Sequence, residues 1–185
     1  QVSTEGRTPR LPSPFIGLAT ENPIDYQGTY PLPEAQLDRF AMQLVLGYPE
    51  EEHEMAMLFS RKENDPLDEL EPALDCDEIV EVQSQVREVG IEESVALYAV
   101  RLIRSSRIDD RIRLGASPRA LLSLTRCAQA AAWLDDRDFV TPDDIREMAV
   151  PVLAHRLVLE NKTEFAGVSR QAVVADLVKQ IKAPV

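Results

Sequence analysis

The sequence predicts a mostly α-helical protein that begins with a short α/β segment. Within residues 15–48, two apolar runs, Phe15–Ala19 and Met42–Leu46, are separated by a Pro-rich loop and a short helix. This alternation is typical of part of a parallel α/β sheet. After Pro49, every segment has apolar residues at helical spacing. We therefore predict an α/β segment at residues 1–48 and an all-α bundle at residues 49–185.

The first elements of the α/β segment lead to a polar residue at the end of a strand. β-branched residues around Glu5-Gly6 predict a hairpin arm. The apolar run that follows is interpreted as a buried strand ending at Asn22, in front of Pro23. Ligands of open α/β sheets bind beyond the carboxyl ends of the strands. Asn22 is therefore a candidate ligand-contacting amide, and an Asn-Pro turn that only ends the strand is the alternative.

A short helix follows the loop. Pro33 and Glu34 suit its first turn, where a fixed φ and a negative charge are favourable. The helix ends near Asp38 and Arg39, and a cation is welcome at that end of the helix dipole. Arg39 can therefore be a capping residue paired with a neighbouring acid such as Asp38 or Glu34. A parallel sheet needs covering layers on both faces, so we expect this segment alone to leave its apolar residues uncovered.

Cap residues and apolar spacing predict the helices of the all-α part. Ser117-Pro118 and Thr141-Pro142 each combine a hydroxyl cap with a proline at the first helical position. Antiparallel helices with short connections form a bundle. The predicted helices begin at or near Glu50, Asp77, Glu92, Ser117, Thr141, Pro151 and Ser169.

Composition and charge argue against several classes of function. The net charge of −12 disfavours binding to a phosphate backbone, so we expect no nucleic-acid partner. Cys76 and Cys127 have no metal-ligand spacing, and we predict no metal site in this sequence. No apolar run of about 18 residues and no signal peptide occur, so we expect no membrane span and a cytoplasmic location.

Arg119 is the residue that elementary electrostatics singles out. With Ser117 as the cap and Pro118 as the first residue, Arg119 lies in the first turn of its helix. A cation there faces the positive end of the helix dipole, which costs roughly 0.3–1 kcal/mol. An anion bound at the helix N-terminus would explain the placement. An exposed arginine that bridges to a nearby acid is the alternative.

Two stretches of the sequence resemble one family closely. The first stretch runs from Ala19-Thr20-Glu21-Asn22-Pro23 through Gly28-Thr29-Tyr30-Pro31-Leu32-Pro33-Glu34-Ala35-Gln36-Leu37-Asp38-Arg39-Phe40, and the second is Arg113-Leu114-Gly115-Ala116-Ser117-Pro118-Arg119-Ala120. Both resemble the MoxR family of AAA+ ATPases. The second stretch is similar to that family's second sensor, and the rest of the chain to about Leu159 is compatible with its helical lid.

The resemblance implies roles for individual residues. It implies that Asn22 is the first-sensor residue, which positions the attacking water. It implies that Arg39 is an arginine finger acting on the γ-phosphate of a neighbouring subunit, with Asp38 orienting it or pairing across the interface. It implies that Arg119, with Ser117 and Pro118 at the same helix start, is the second sensor, carried by the lid.

The resemblance also implies the setting in which these residues act. The fold would be the last part of a AAA+ α/β nucleotide-binding domain followed by a helical lid. The cofactors would be ATP and Mg²⁺, and the protein would work as a ring, expected to be a hexamer. Its activity would be chaperone-like maturation of client proteins, together with proteins that carry a von Willebrand factor A domain.

Two parts of the family pattern are missing from the sequence. There is no Gly-x-x-x-x-Gly-Lys-[Ser/Thr] phosphate loop, and no apolar strand ends in Asp-Glu. We therefore expect the C-terminal piece of an ATPase, inactive by itself. Two alternatives stay open at this point: a non-catalytic assembly module of the same ancestry, and a magnesium-chelatase-like remodelling subunit.

Overall fold

The structure, a computed structural model, describes residues 10–21, 33–60 and 70–184. The chain forms two compact units, one from Gln1–Leu18 and Leu44–Val82, the other from Ala19–Gln43 and Gln83–Val185, here called the helical unit. The predicted domain boundary after residue 48 stays a prediction. The elements in order are α1 (Glu34–Leu37), α2 (Glu51–Ser60), α3 (Cys76–Glu88), α4 (Glu93–Ser105), β1 (Ile112–Leu114), α5 (Pro118–Leu134), α6 (Pro142–Leu153), a 3-10 turn (Ala154–Arg156), β2 (Val158–Leu159), α7 (Asn161–Phe165) and α8 (Arg170–Gln180).

The core of the helical unit lies among α4, α5, α6 and α8. Small residues at Ala120, Ala128 and Ala132 form the inner face of α5 and are completely buried. Side chains this small let neighbouring helices approach closely, and α5 packs extensively against α6. The largest fully buried side chains include Tyr98, Leu102, Ile103, Leu124, Ile145, Leu153, Leu157 and Leu159.

The cap predicted at Thr141 is confirmed, and the structure shows a further cap at Ser169. Thr141 and Asp144 form a reciprocal capping box at the start of α6, and Ser169 caps α8 by accepting a hydrogen bond from the backbone N–H of Ala172. Arg137 adds an ion pair to the buried Asp144 at 2.6 Å. Burial raises the pKa of Asp144, but the bonds from Arg137 and Thr141 outweigh it and hold that pKa below its usual range.

The two predicted strands of the α/β segment are wrong as strands. Residues 15–21 and 42–46 have no strand pairing, and the side chains of Leu18 and Leu46 are more than nine-tenths exposed. A parallel strand gains its hydrogen bonds only from neighbouring strands, and the described residues supply none. The short helix after Pro33 is confirmed as α1, although it has no buried residue. The hairpin predicted before the first strand falls mostly outside the described residues.

The helix predicted to restart at Pro151 is also wrong. α6 runs through Pro151 to Leu153 and then tightens into the 3-10 turn. Pro151 is the third residue from the end of α6, where its missing N–H costs the helix a single backbone hydrogen bond. The Pro151 carbonyl accepts a hydrogen bond from the Gln43 N–H at 2.8 Å.

A two-stranded antiparallel sheet was not predicted. Within it, Ile112 pairs with Leu159 and Leu114 with Val158. The Arg111 side chain, beside this sheet, binds Asp109 and also Asp176 of α8, each at 2.9 Å. These bonds join the loop before β1 to α8.

Replacing Leu124 by Ala should destabilise the protein by about 2–5 kcal/mol, because it opens a cavity in a fully buried position. Leu122→Ala is the matched control in the same helix, since Leu122 is 67% exposed and its loss should cost less than about 0.5 kcal/mol. Urea unfolding followed by helical circular dichroism measures both. Equal effects of the two variants would contradict the described packing of α5.

Candidate functional site

The candidate site lies at the N-terminus of α5. Ser117 caps the helix by accepting a hydrogen bond from the Ala120 N–H at 3.3 Å, and Pro118 is the first helical residue, as predicted. Arg119 lies in the first turn with an exposed side chain, and that turn contains no acid. The helix start therefore combines the positive end of the helix dipole with an exposed arginine that has no acid in the same turn, which suits an anion.

The segment after α1 contacts the same helix start. The Ser117 hydroxyl donates to the two carboxylate oxygens of Asp38, at 3.2 and 3.4 Å. Arg39 comes directly after Asp38, and its side chain is exposed. Neither Arg39 nor Arg119 forms a side-chain hydrogen bond or ion pair with the residues that the structure describes. The hydrogen bond between Asp38 and Ser117 thus brings two free arginines to one end of the helical unit.

The buried Arg156 side chain supports the contact between Asp38 and the start of α5. Its side chain is only 1% exposed, and its Nε donates to Asp38 Oδ1 at 3.2 Å. The guanidinium also donates to the backbone carbonyls of Phe40, Ala41 and Val152 and to the Ser123 hydroxyl. One buried fork of donors therefore joins the turn after α1 to α5 and α6.

The buried position of Arg156 disfavours its positive charge. Burial lowers the pKa of Arg156, and the Asp38 carboxylate opposes that shift. The charge of Arg119 lowers the same pKa further. Removing one partner of a buried ion pair typically costs about 3–5 kcal/mol, since the other charge is left uncompensated. Asp38 is consequently part of the internal support of the site.

His155 packs beside Arg156 and is also buried. Its Nε2 lies 3.4 Å from the Phe40 carbonyl, and Nδ1 has no hydrogen-bond partner among the described residues. Burial lowers the pKa of His155, and the Arg156 charge adds to that effect. The ring is therefore neutral near pH 7 and adds a second contact to the turn after α1.

The loop that leads into α5 is fixed against the end of α4. The Ala116 N–H donates to the Ser106 hydroxyl at 3.0 Å, and Arg107 Nε donates to the Ala116 carbonyl at 2.9 Å. A Cβ on Gly115 would lie 2.6 Å from the Ser106 carbonyl oxygen. Only glycine fits this close approach of two backbones. The contact therefore helps to fix where α5 begins.

The structure places four of the five predicted site residues. Ser117, Pro118 and Arg119 lie at one helix start, and Arg39 lies beside it, but their functional roles stay predictions. Asn22 lies outside the described residues. Arg156 and its contacts were missed, although the sequence holds one signal: His155 and Arg156 interrupt an otherwise apolar run from Val150 to Leu159, and buried polar groups need partners.

Neither a candidate metal site nor a candidate membrane-spanning helix occurs among the described residues. In these ranges no group of three or more His, Cys, Asp or Glu side chains is placed to hold a metal ion. None of the described helices is both long and apolar enough to span a membrane.

Two family models match the sequence. Residues 1–42 match the ATPase family associated with various cellular activities (AAA), and residues 104–181 match the AAA lid domain. A crystal structure of a proposed ATPase from Cytophaga hutchinsonii is similar to 89% of this chain and 53% of its own, with a TM-score of 0.80 and 30% identity. These matches confirm the predicted fold class.

Curated relatives match over almost the whole chain. YeaC of Bacillus subtilis is 39% identical over 100% of this chain and 58% of its own length. Chaperone MoxR1 of Mycobacterium tuberculosis is 32% identical over 99% of this chain and 50% of its own. Protein MoxR of Methylorubrum extorquens is 29% identical over 97% of this chain and 57% of its own. The chain thus spans somewhat more than half the length of most of these relatives.

Gly115→Ala should destabilise the protein by about 1–3 kcal/mol, because the new Cβ meets backbone atoms that cannot rotate away. Gly90→Ala is the control, since its Cβ would meet only the Asp138 carbonyl, at an ordinary 3.6 Å. Urea unfolding of both variants tests the close approach between α4 and the loop before α5. A Gly115→Ala protein as stable as Gly90→Ala would contradict it.

His155 should make stability depend on pH near neutrality. Its pKa is lowered in the folded protein, while the unfolded chain binds a proton below about pH 6.5. The contribution of His155 to stability is therefore fully present above that pH and is lost as the pH falls towards the lowered pKa. Urea unfolding at pH 5, 6 and 7 should show a steeper loss for the wild type than for His155→Gln. His53→Gln, on an exposed helix, is the control and should keep the wild-type slope.

Proposed function

The chain belongs to the MoxR family of AAA+ ATPases, and from this membership we propose that it is the C-terminal part of an ATPase that works as an oligomeric ring. When bound, ATP with Mg²⁺ supplies the γ-phosphate that is transferred to water. The residues of this chain would then act on the charge of that phosphate, whereas the phosphate loop and the acids for Mg²⁺ would come from other parts of the protein.

One observation carries the proposal: Arg39 and Arg119 are exposed, free of acid partners among the described residues, and joined through the Asp38–Ser117 hydrogen bond. Guanidinium groups match phosphate oxygens in geometry and charge. We propose that Arg39 is an arginine finger and Arg119 the second sensor, and that both contact the same γ-phosphate. Because Arg39 would act across the subunit interface, Arg119 would then do so as well.

Asn22 would complete the site as the first sensor, orienting the attacking water. The chain would thereby divide its work between one nucleotide, to which it gives Asn22, and the neighbour's nucleotide, to which it gives Arg39 and Arg119. A hexameric ring, a von Willebrand factor A domain partner and chaperone-like maturation of client proteins are the further parts of the proposal. The name of Chaperone MoxR1, a relative over 99% of this chain, supports the chaperone role.

Arg39→Ala in the full-length protein should lower kcat by about 10³–10⁵, the range for loss of an arginine finger. Arg101→Ala, at an exposed position of α4, is the matched control and should leave kcat unchanged. A steady-state ATPase assay measures both. An Arg39→Ala protein with wild-type turnover would show that Arg39 is only a helix-end residue.

Mixing variants separates action across the interface from action within a subunit. Arg39→Ala mixed in equal amounts with a variant lacking the phosphate-loop lysine should regain activity, at roughly one site in four of a randomly mixed closed ring. Arg119→Ala in the same mixture should behave alike. If only the Arg39 mixture recovers, the two arginines serve different nucleotides. If neither the wild type nor any mixture turns over ATP, the chain belongs to a non-catalytic assembly module.

A further inference from the structure

We infer that Arg156 is a positioning residue for Arg39, an inference that rests on the proposed function. Arg156 is buried and does not reach solvent, so it is not a candidate for direct contact with a nucleotide. Its donors are all directed at the turn that carries Arg39 and at the helices beneath it. It acts on the proposed reaction only through the place it gives to that turn.

The turn after α1 depends on these contacts because it has little structure of its own. α1 is a single turn of four residues, its proline cap forms no side-chain hydrogen bond, and none of its residues is buried. An isolated helix this short is unstable in water. The position of residues 38–43 therefore comes from four attachments: Arg156, the Ser117–Asp38 hydrogen bond, the His155–Phe40 contact, and the Gln43–Pro151 backbone bond.

Arg156 links the turn that carries Arg39 to α5 and α6. Asp38 accepts from Arg156 Nε and from the Ser117 hydroxyl, so one carboxylate joins the 3-10 turn, the start of α5 and the residue before Arg39. The other guanidinium nitrogens reach carbonyls on both sides: Phe40 and Ala41 in the turn, and Val152 in α6. A displacement of α6 would therefore move the turn that carries Arg39.

Only an arginine can make this set of bonds. Five N–H donors in a rigid plane satisfy the carboxylate, the carbonyls and the Ser123 hydroxyl together, whereas the ammonium of lysine has three donors at one point. Arg156→Lys keeps the charge and most of the volume but loses the fork. It is therefore the variant that tests positioning, and Arg146→Lys is the matched control, a partly exposed arginine of α6 with an ion pair to Asp143.

The first experiment is a double-mutant cycle in the full-length protein. Arg156→Lys should lower kcat by at least about tenfold while the KM for ATP changes less than about twofold, since the lost contact acts only in the transition state. Combined with Arg39→Ala, it should cause no further loss, because the group that it positions is already gone. Effects that multiply in the double variant, or wild-type kcat for Arg156→Lys, would overturn the inference.

A second measurement reports on the turn without any activity. In amide hydrogen exchange of the same proteins, residues 38–43 should exchange faster in Arg156→Lys than in the wild type, while α4 should exchange equally in both. Asp38→Asn, which keeps the shape of the side chain, should give a smaller change in the same direction even if Arg156→Lys folds poorly. Unchanged exchange in both variants would show that Arg156 does not hold the turn.

The two measurements separate the inference from its premise. A wild-type protein without ATP turnover removes the proposed function, and a kinetic role for Arg156 with it, whereas the exchange data still decide whether Arg156 fixes the turn. Normal wild-type turnover with normal Arg156→Lys kinetics removes the positioning role alone.

Discussion

A buried arginine paired with a carboxylate is the interaction on which the site depends. Arg156 attaches the turn after α1 to a bundle whose core, among α4, α5, α6 and α8, is formed by apolar packing. The bond network adds little to that core and has a large desolvation cost. Its effect is positional: two segments separated by about eighty residues, one ending in Arg39 and one beginning at Ser117, meet at Asp38.

The bundle could be predicted from the sequence because its information is local. Val95, Tyr98, Leu102 and Ile103 recur at helical spacing in the sequence, and all four are buried on one face of α4. Hydroxyl caps and prolines located the starts of α5 and α6 to within a residue. By contrast, the β1–β2 pair is short, and each strand is stable only through a partner more than forty residues away. No periodicity in so few residues indicates such a pairing.

The prediction of two strands within the α/β segment failed for a different reason. The apolar runs at Phe15–Ala19 and Met42–Leu46 have the composition of buried strands, yet composition specifies a strand only when other strands complete the ladder. Side chains such as Leu44 and Val45 are accordingly exposed. The sequence thus indicates that these residues require neighbouring strands. The expectation that they would stay uncovered without such strands agrees with their exposure. The surroundings themselves are not encoded in these runs.

The predicted site residues illustrate a similar division. Arg119 was found from the conflict between its charge and the helix dipole, which is a local argument, and its exposed place in the first turn agrees with it. Arg156 could not be found this way, since its partners are dispersed over positions 38 to 152. The arginines fall into two groups, according to whether they have a carboxylate partner. Arg111, Arg137 and Arg156 have carboxylate partners and hold the structure together. Arg39 and Arg119 have none among the described residues of a chain whose net charge is −12, so their positive charge remains available to an anion from outside it.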